Sequence, residues 1–249
     1  MSADDPGALI VRAILIIPAV SAALLAFLPD DRTTARLNVV ATLLTLLCAI
    51  ALFLVRPEPG LFLIVDDVNV VFIVLNTFVG FTTSVFSGSY IAHELETGRL
   101  THVYLRFYHA MYQTLMFAMN LALLANNVGL MWVAVELATL TTVLMVGIYR
   151  TTAAVEAAWK YFILCGVGIA QALFGTILLY FAAERVLGAE GNALLWTHLD
   201  LVKGERRQLT THGETGAVWS PDGTRIAFAP AGRHGDMAGQ GDGGREQKA

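Results

Sequence analysis

Apolar residues fill the first 187 positions in long runs, and polar residues occur mainly where one run gives way to the next. A helix needs about 20 apolar residues to cross the hydrocarbon core of a membrane. Six runs meet this length, over residues 8–28, 35–55, 68–90, 103–125, 128–148 and 157–183. They are too long and too continuously apolar for the strands of a membrane barrel. The pattern therefore predicts an all-α membrane protein with six transmembrane helices, in a domain over residues 1–187.

Prolines and charged residues mark the ends of several runs. The first run is followed by Pro29, and the second is followed by Arg56 and Pro57. Asp66 and Asp67 precede the third run, and carboxylates are favourable at a helix N-terminus because of the helix dipole. These positions support helices that start and stop close to the apolar boundaries.

The last part of the chain, residues 188–249, is polar and rich in glycine. Ser220–Gly223 (SPDG) is a strong turn signal, since proline fixes φ and glycine accepts a positive φ. It separates two short strand-like stretches, which predicts a β-hairpin within residues 204–230. Residues 231–249 are low in complexity, and we expect them to be disordered.

The composition narrows the class of protein. Hydrophobic residues make up 56% of the chain and charged residues 14%, and the mean hydropathy is +0.62. Soluble domains carry about 25% charged residues, so an ordinary soluble enzyme and a disordered chain are both excluded. The net charge of −4 gives no general attraction to nucleic acid, and a lipid bilayer is the expected surrounding. Cys48 and Cys165 lie in apolar runs and form no CxxC or Cys/His cluster, so we expect no metal site of the zinc or iron–sulfur kind.

The basic residues predict the orientation, because lysine and arginine are enriched in cytoplasmic loops. Loops one, three and five carry Arg32, Arg36, Arg99, Arg106, Arg150 and Lys160. The opposite side carries Arg12, Arg56 and Arg185. This places loops one, three and five in the cytoplasm and leaves the N-terminus and the tail outside, in the periplasm. Lys203, Arg206 and Arg207 weakly favour the reverse.

Glu136 is the leading candidate for function. It is the ninth residue of the fifth run, which puts it about 12 Å inside the membrane at 1.5 Å per residue. A charge at such a depth costs about 2.5–3.5 kcal/mol on insertion scales and is a functional candidate by default. An isolated carboxyl group there can take up and release a proton. The alternative is a structural acid that forms hydrogen bonds between helices.

Lys160 opens the sixth run and is the second candidate for proton transfer. It lies close to the loop end of its helix, whereas Glu136 lies near the middle of the preceding one. We therefore do not expect the two to pair directly. The alternative is a lysine that extends its ammonium group to the membrane surface.

The fourth run carries a polar stripe, which must face protein or water rather than lipid. Steps of three, four and seven place its members on one face of a helix: Arg106, His109, Gln113 and Asn120. His109 is the third candidate for proton transfer, since an imidazole can shuttle protons near neutral pH. A packing histidine with satisfied hydrogen bonds is the alternative.

Other polar or small residues have simpler predicted roles. Asn69, Asn76 and Thr83 share a face of the third run and are expected to hold helices together. Gly168, Gln171 and Gly175 share a face of the sixth run and are expected to allow a close helix approach. The cluster His93, Glu94, Glu96 and Arg99 is expected in a solvated loop rather than in a metal site.

Four segments carry a resemblance to a known family. They are SYIAHE (89–94), YLRFYHAMY (104–112), MWVAVELATL (131–140) and AAWKYFIL (157–164). Together they resemble the N-terminal half of the antiporter-like membrane subunits of respiratory complex I, Mrp cation/proton antiporters and membrane-bound hydrogenases. The segment around Glu136, with GIYR (147–150), is typical of the hydrogenase-4 component F branch.

The resemblance implies a role and partners. Subunits of this family bind no redox cofactor and form proton channels that are coupled to electron transfer in a peripheral arm. A glutamate of the fifth helix works there with a lysine of the seventh, and Glu136 occupies the glutamate position. Lys160 matches a lysine that is common at the start of the sixth helix. The implied partners are other antiporter-like subunits and a peripheral hydrogenase or dehydrogenase arm.

We therefore expect a proton-translocating membrane subunit, present as a fragment, of a hydrogenase-4 or NADH–quinone-oxidoreductase-like complex in the bacterial inner membrane. The family's seventh and later helices have no counterpart after residue 183. Separately, RQLT (207–210) and WSPDG (219–223) resemble one repeat of a TolB-like β-propeller. Two alternatives stay open: a membrane scaffold that does not pump, and a chimeric chain without independent function, joined near residues 188–203.

Overall fold

The computed structural model describes residues 5–28, 30–55, 57, 60–98, 100–187, 194–196, 215–219 and 226–229. The chain divides into two units, Met1–Lys203 and Gly204–Ala249. The first unit holds the helices, and the second holds a pair of strands.

Within the described residues of the first unit there are six α-helices, which confirms the predicted all-α membrane fold. They are α1 (Pro6–Phe27), α2 (Asp31–Ala51), α3 (Asp67–Glu96), α4 (His102–Leu124), α5 (Val128–Val146) and α6 (Thr152–Leu187). A short 3₁₀ turn, Gly147–Tyr149, follows α5. Among the described residues, five helices have the length and hydropathy to cross a membrane, and α4 is not one of the five. The fourth predicted span is thus a helix of the expected length, but it is the helix that carries the polar stripe.

Polar side chains fix the starts of several helices. Asp66 accepts hydrogen bonds from the backbone N–H groups of Val68 and Asn69, and the Asn69 side chain in turn accepts from the Asp66 N–H. This reciprocal capping satisfies amide groups that have no partner within the helix. Asn127 caps α5 in a similar way, by accepting from the N–H of Leu130.

The ends of α3 and α6 differ from the prediction. Helix α3 continues to Glu96 rather than stopping near residue 90, so His93, Glu94 and Glu96 lie on a helix and the predicted loop is wrong. Helix α6 begins at Thr152, which leaves a very short connection after the 3₁₀ turn. The physical reason is that an apolar run marks only the hydrocarbon-spanning part of a helix. The helix continues beyond the apolar run wherever the polar residues that follow have sufficient helix propensity.

Helix α4 is the centre of the bundle. It packs against α1, α2, α3 and α5, while α6 packs along α5. One apolar cluster lies toward the end of α4 and consists of Val11, Ile14, Ala49, Leu52, Val70, Ile73 and Leu124. A second lies toward its start and consists of Ile91, Leu100, Leu105 and Ile148. The polar side chains of α4 lie between these two apolar layers.

Other parts of the chain approach closely at Gly80, which meets α4, and at Gly7, which meets the segment after α2. A Cβ at Gly80 would lie 2.3 Å from the Met116 Cε, and one at Gly7 would lie 2.7 Å from the Pro57 Cα. Around Gly168 and Gly175, no atom of the described residues would lie within 4 Å of an added Cβ. That face of α6 is exposed in the part of the chain that the structure describes, so the predicted close approach on α6 stays a prediction.

The second unit contains strands β1 (Thr215–Trp219) and β2 (Ile226–Ala229), which pair antiparallel. Trp219 lies opposite Ile226, and Ala217 lies opposite Phe228. This pairing agrees with the predicted hairpin. The predicted turn at Ser220–Gly223 and the predicted disordered end at 231–249 lie outside the described residues.

Candidate functional site

Glu136 lies near the middle of α5, as the sequence predicts. Its Oε2 atom is buried and has no hydrogen-bond partner among the described residues. It follows Trp132 by one helical turn, and residues four apart share a face of a helix. The Trp132 indole donates to the Ile169 carbonyl oxygen at 2.9 Å, so this face of α5 is the one that meets α6. The carboxyl group is thus held near the middle of α5, with one buried oxygen that has no partner in the described residues.

Lys160 occupies a different environment. Its ammonium group pairs with Glu156 one turn earlier on α6, and both side chains are mostly exposed, at 74% and 61%. Within the described residues no ion pair joins Lys160 to Glu136, in line with the different depths expected from the sequence. The structure therefore does not bring these two candidates together.

His109 is fully enclosed, with 1% of its surface exposed. Its ring meets the Tyr108 ring edge to face, with 5.4 Å between the ring centroids. The Nδ1 atom is buried and has no hydrogen-bond partner in the described part of the chain. Gln113 and Asn120 on the same face are also fully buried. The prediction that this stripe faces protein or water rather than lipid is confirmed.

The stripe on α4 meets polar groups of α2 and α3, and we call this contact region the polar seam. The Gln113 Nε2 donates to the Asn38 Oδ1 at 2.8 Å. The Asn76 Nδ2 donates to the Asn120 Oδ1 at 2.9 Å, which bears out the predicted interhelical role of Asn76. Asn69 likewise donates to the Leu123 carbonyl oxygen at 3.3 Å. The seam links three helices across the middle of the bundle.

Two further contacts belong to the seam. The Thr42 and Ser84 hydroxyls lie 2.7 Å apart and join α2 to α3. The Tyr112 hydroxyl donates to the Gly80 carbonyl oxygen at 2.6 Å and joins α4 to α3. Nevertheless, three buried atoms of the seam have no partner in the described residues: the Asn38 Nδ2, the Gln113 Oε1 and the Asn120 Nδ2.

A cavity of about 380 Å³ opens above the seam, and we call it the mouth cavity. Helices α2, α3 and α4 line it through Asp31, Arg32, Ala35, Arg36, Gly88, Ala92, Leu95, Glu96, Leu105 and His109. Asp31 also pairs with the His102 imidazole, which joins the first turns of α2 and α4. The cavity therefore lies on the side of loops one and three, and His109 is its lining residue farthest along α4.

Asp30, next to this opening, caps α2 outside the membrane-spanning segment. Hydrogen bonds from the Thr33 hydroxyl and from the Thr33 N–H hold the pKa of the Asp30 carboxyl below its ordinary value of 3.8. The N–H contact measures 3.0 Å. Hydrogen bonds to the ionised form stabilise that form, so this cap stays charged at all but strongly acidic pH.

A second cavity of about 420 Å³ lies between the start of α4, the end of α5 and the start of α6. Apolar side chains such as Phe107, Leu144 and Trp159 line it. At its edge the Arg150 guanidinium stands 5.2 Å from the centroid of the Tyr104 ring, in a cation–π contact. This apolar cleft contains neither Glu136 nor His109.

Sequence reasoning missed Asn38, Ser84 and Glu94. Asn38 is fully buried and Glu94 is 4% exposed. Asn38 is a strongly polar residue inside an apolar run. Its position could have predicted a partner on another helix, because strongly polar residues inside membrane segments usually have a partner. Glu94 was assigned to a loop, so its burial could not be inferred. In the described residues no group of three or more His, Cys, Asp or Glu side chains is placed to hold a metal ion.

Comparison with known proteins adds to this geometry. Residues 125–195, which contain α5 and α6, match the family model for the transmembrane region of NADH:quinone oxidoreductase and Mrp antiporters. The chain is also 52% identical over 187 residues to the hydrogenase-4 component F homolog of Methylacidiphilum infernorum (isolate V4). That alignment covers 75% of this chain and 39% of the relative.

The fold is similar to a chain in the structure of respiratory complex I from Thermus thermophilus with bound aureothin. The TM-score is 0.56 at 24% identity, and the match covers 74% of this chain and 40% of that chain. At this identity the likeness shows the fold alone. The chain thus spans about two fifths of the length of both relatives.

The helices define a multi-pass membrane protein, and its fold is similar to that of a complex I chain. More particularly, residues 125–195 are similar to the transmembrane region of NADH:quinone oxidoreductase and Mrp antiporters, and the sequence is similar to part of a hydrogenase-4 component F homolog.

Proposed function

We propose that the chain is part of a proton-translocating membrane subunit of a hydrogenase-4 or NADH–quinone-oxidoreductase-like complex. The similarity to hydrogenase-4 component F supports this proposal. The observation that carries it is the Glu136 carboxyl, which lies in the middle of α5 with a buried oxygen that has no partner in the described residues. A purely structural acid would be expected to use that oxygen in a hydrogen bond.

Glu136 is the proposed proton carrier. In this proposal the carboxyl group takes up a proton from one side of the membrane and releases it to the other when a nearby charge changes. His109 is a second proposed carrier because it is buried and its Nδ1 has no partner in the described part of the chain. Lys160 is a weaker candidate because Glu156 already neutralises it at an exposed position.

The partners and the location follow from the same proposal. The chain would lie in the bacterial inner membrane beside other antiporter-like subunits and beneath a peripheral hydrogenase or dehydrogenase arm that supplies the driving electron transfer. Loops one, three and five would face the cytoplasm, and the N-terminus and the tail would face the periplasm. The basic residues of those loops support this orientation.

The test is the variant Glu136→Gln in the assembled complex, in inverted membrane vesicles. Proton uptake is followed with a pH-sensitive dye while electron transfer is measured on the same sample. We expect the protons moved per electron to fall at least several-fold, because the amide cannot exchange a proton. Glu156→Gln, which changes an exposed acid on α6, is the matched control and should leave the ratio unchanged. A normal ratio in Glu136→Gln would contradict the proposal.

A membrane scaffold is the second candidate function, and the polar seam favours it. Its hydrogen bonds join α2, α3 and α4 and use most of the buried polar groups there. A scaffold predicts that Glu136→Gln pumps normally, whereas breaking the seam lowers the amount of assembled complex. The two functions are therefore separated by the same pair of measurements.

For the second unit we propose one TolB-like repeat, supported by the antiparallel pair β1 and β2. A propeller needs about four to eight such blades, so a single repeat would form part of a propeller only together with further repeats. Intact mass measurement of the native protein tests whether this unit is joined to the membrane unit as written. A mass of 26.9 kDa supports the junction, and a different mass contradicts it.

A further inference from the structure

Three buried polar atoms have no hydrogen-bond partner among the described residues: the His109 Nδ1, the Gln113 Oε1 and the Asn38 Nδ2. His109 lines the mouth cavity. Gln113 follows His109 by one turn of α4, and its amide nitrogen is bonded to Asn38. These three residues therefore form a patch that begins at the cavity wall and spans α2 and α4.

This patch is chemically suited to water. Buried polar atoms are destabilising when they stay unpaired, and internal water commonly satisfies them through two to four hydrogen bonds. The Asn38 Nδ2 is a donor and the Gln113 Oε1 is an acceptor, while a ring nitrogen of histidine can serve either way. Water molecules that reach this patch can accept from the Asn38 Nδ2, donate to the Gln113 Oε1 and bond the His109 Nδ1 in either sense.

The mouth cavity has both the size and the charge balance to supply that water. Its volume of about 380 Å³ is more than ten times the roughly 30 Å³ that one water occupies in the liquid. Arg32 and Arg36 stand in its wall together with Asp31 and Glu96. A bound anion would be repelled by two carboxylates, and a bound cation would be repelled by two guanidinium groups. Water carries no net charge and is repelled by neither.

We propose that the mouth cavity is a water-filled access site that ends in a hydration site formed by His109, Asn38 and Gln113. Water from the side of loops one and three then reaches His109 between α2, α3 and α4. This path does not include Glu136. As a route for protons this inference rests on the proposed function. As a site for water it does not, and the two parts are tested separately.

Water access is tested by the reaction of introduced thiols with Ag⁺ in membrane vesicles. The native thiols are first removed as Cys48→Ser and Cys165→Ser. Asn38→Cys then places a thiol at the hydration site, and Ala49→Cys places one on the same helix in the fully buried apolar cluster. Silver ion is applied from the side of loops one and three, and the thiol that survives is counted with N-ethylmaleimide after denaturation.

We expect Asn38→Cys to react at least tenfold faster than Ala49→Cys. Ala35→Cys, in the wall of the mouth cavity, should react at least as fast as Asn38→Cys. A protected Asn38→Cys beside a reactive Ala35→Cys would overturn the hydration site, and protection of both would overturn the open cavity. If Asn38→Cys fails to accumulate in the membrane, His109→Cys replaces it with the same expected result.

The proton route has its own measurement. In the assembled complex, His109→Gln should lower the protons moved per electron at least twofold, because glutamine can hold the water but cannot carry the charge. Silver-reactive Asn38→Cys combined with normal pumping by His109→Gln would overturn the route while leaving the hydration site intact. Normal pumping by Glu136→Gln, in contrast, would contradict the proposed function and leave the thiol result unaffected.

Discussion

The side-chain amide of Gln113 donates to the Oδ1 of Asn38 at 2.8 Å, between two helix positions that have no exposed surface. The same amide also lies 3.2 Å from the Asn38 carbonyl oxygen. One side chain of α4 thereby fixes the position of α2. Because lipid cannot replace these bonds, they hold the two helices together wherever the helices lie in the membrane.

The first prediction concerns this pair. Gln113→Leu should destabilise the folded protein by about 0.6–1.7 kcal/mol, the range found for hydrogen bonds between membrane helices. The measurement is unfolding in mixed detergent micelles with increasing dodecyl sulfate. Asn38→Leu should cost a similar amount, and the double variant should cost less than the sum. Thr82→Val, whose hydroxyl donates to carbonyls of its own helix, is the control and should change little. Strictly additive effects would show that the pair is not coupled.

The second prediction compares two glycines. At Gly7 an added Cβ would meet the Pro57 backbone at 2.7 Å, and backbone atoms move only with the chain. At Gly80 it would meet the flexible end of Met116, which can turn away. Gly7→Ala should therefore lower stability by about 1–3 kcal/mol, and Gly80→Ala by clearly less. Thermal unfolding in detergent measures both, and Met116→Ala should restore the Gly80→Ala variant. Equal losses at the two sites would contradict this explanation.

The third prediction is a pH dependence at the start of α2. Because the pKa of Asp30 is lower in the folded protein than its ordinary value of 3.8, its ionised form favours folding. This contribution is fully present above pH 3.8 and is lost as the pH falls through the folded pKa. Asp30→Asn should lack it, so its stability should fall less steeply between about pH 5 and pH 2. The readout is the unfolding midpoint against pH, and parallel curves for the two proteins would refute the prediction.

The fourth prediction concerns the ion pair on α6. Lys160 and Glu156 are mostly exposed, and exposed pairs four residues apart contribute about 0.3–0.5 kcal/mol. Lys160→Met should therefore change the free energy of unfolding by no more than that, and it should keep most of the proton translocation. Glu156→Gln removes the other member of the ion pair and is the matched variant, with the same small expected effect. A large loss of pumping in Lys160→Met alone would restore Lys160 as a proton carrier.

The sequence predicted helices better than helix ends. The carboxylates at Asp66 and Asp67 correctly marked the start of α3, because capping uses local contacts that the sequence displays directly. The end of α3 at Glu96 was missed, because polar residues outside the hydrocarbon are compatible with helix or loop alike. The ion pair of Lys160 with Glu156 was open to prediction from the spacing of four residues.

The sequence predicted which residues of the candidate site share a helix face, but it did not predict their partners on other helices. Periodicity showed that His109, Gln113 and Asn120 share one face, and their burial confirms that this face is turned inward. Their partners Asn38 and Asn76 lie on other helices, and pairing over such sequence distances depends on how the helices pack. The small residues on α6 show the same limit, because helix spacing says which residues share a face and not what that face meets.

The length of α6 has a consequence for what lies above the membrane. Its 36 residues measure about 54 Å at 1.5 Å per residue, while the hydrocarbon core is about 30 Å thick. Even a tilt of about 40° accommodates only about 39 Å of helix in that core. Glu156 and Lys160 lie near the start of α6, so we expect the excess length at this end, with the first turns of α6 among the phospholipid headgroups. A water-soluble protein that docks there would then contact a helix rather than a loop.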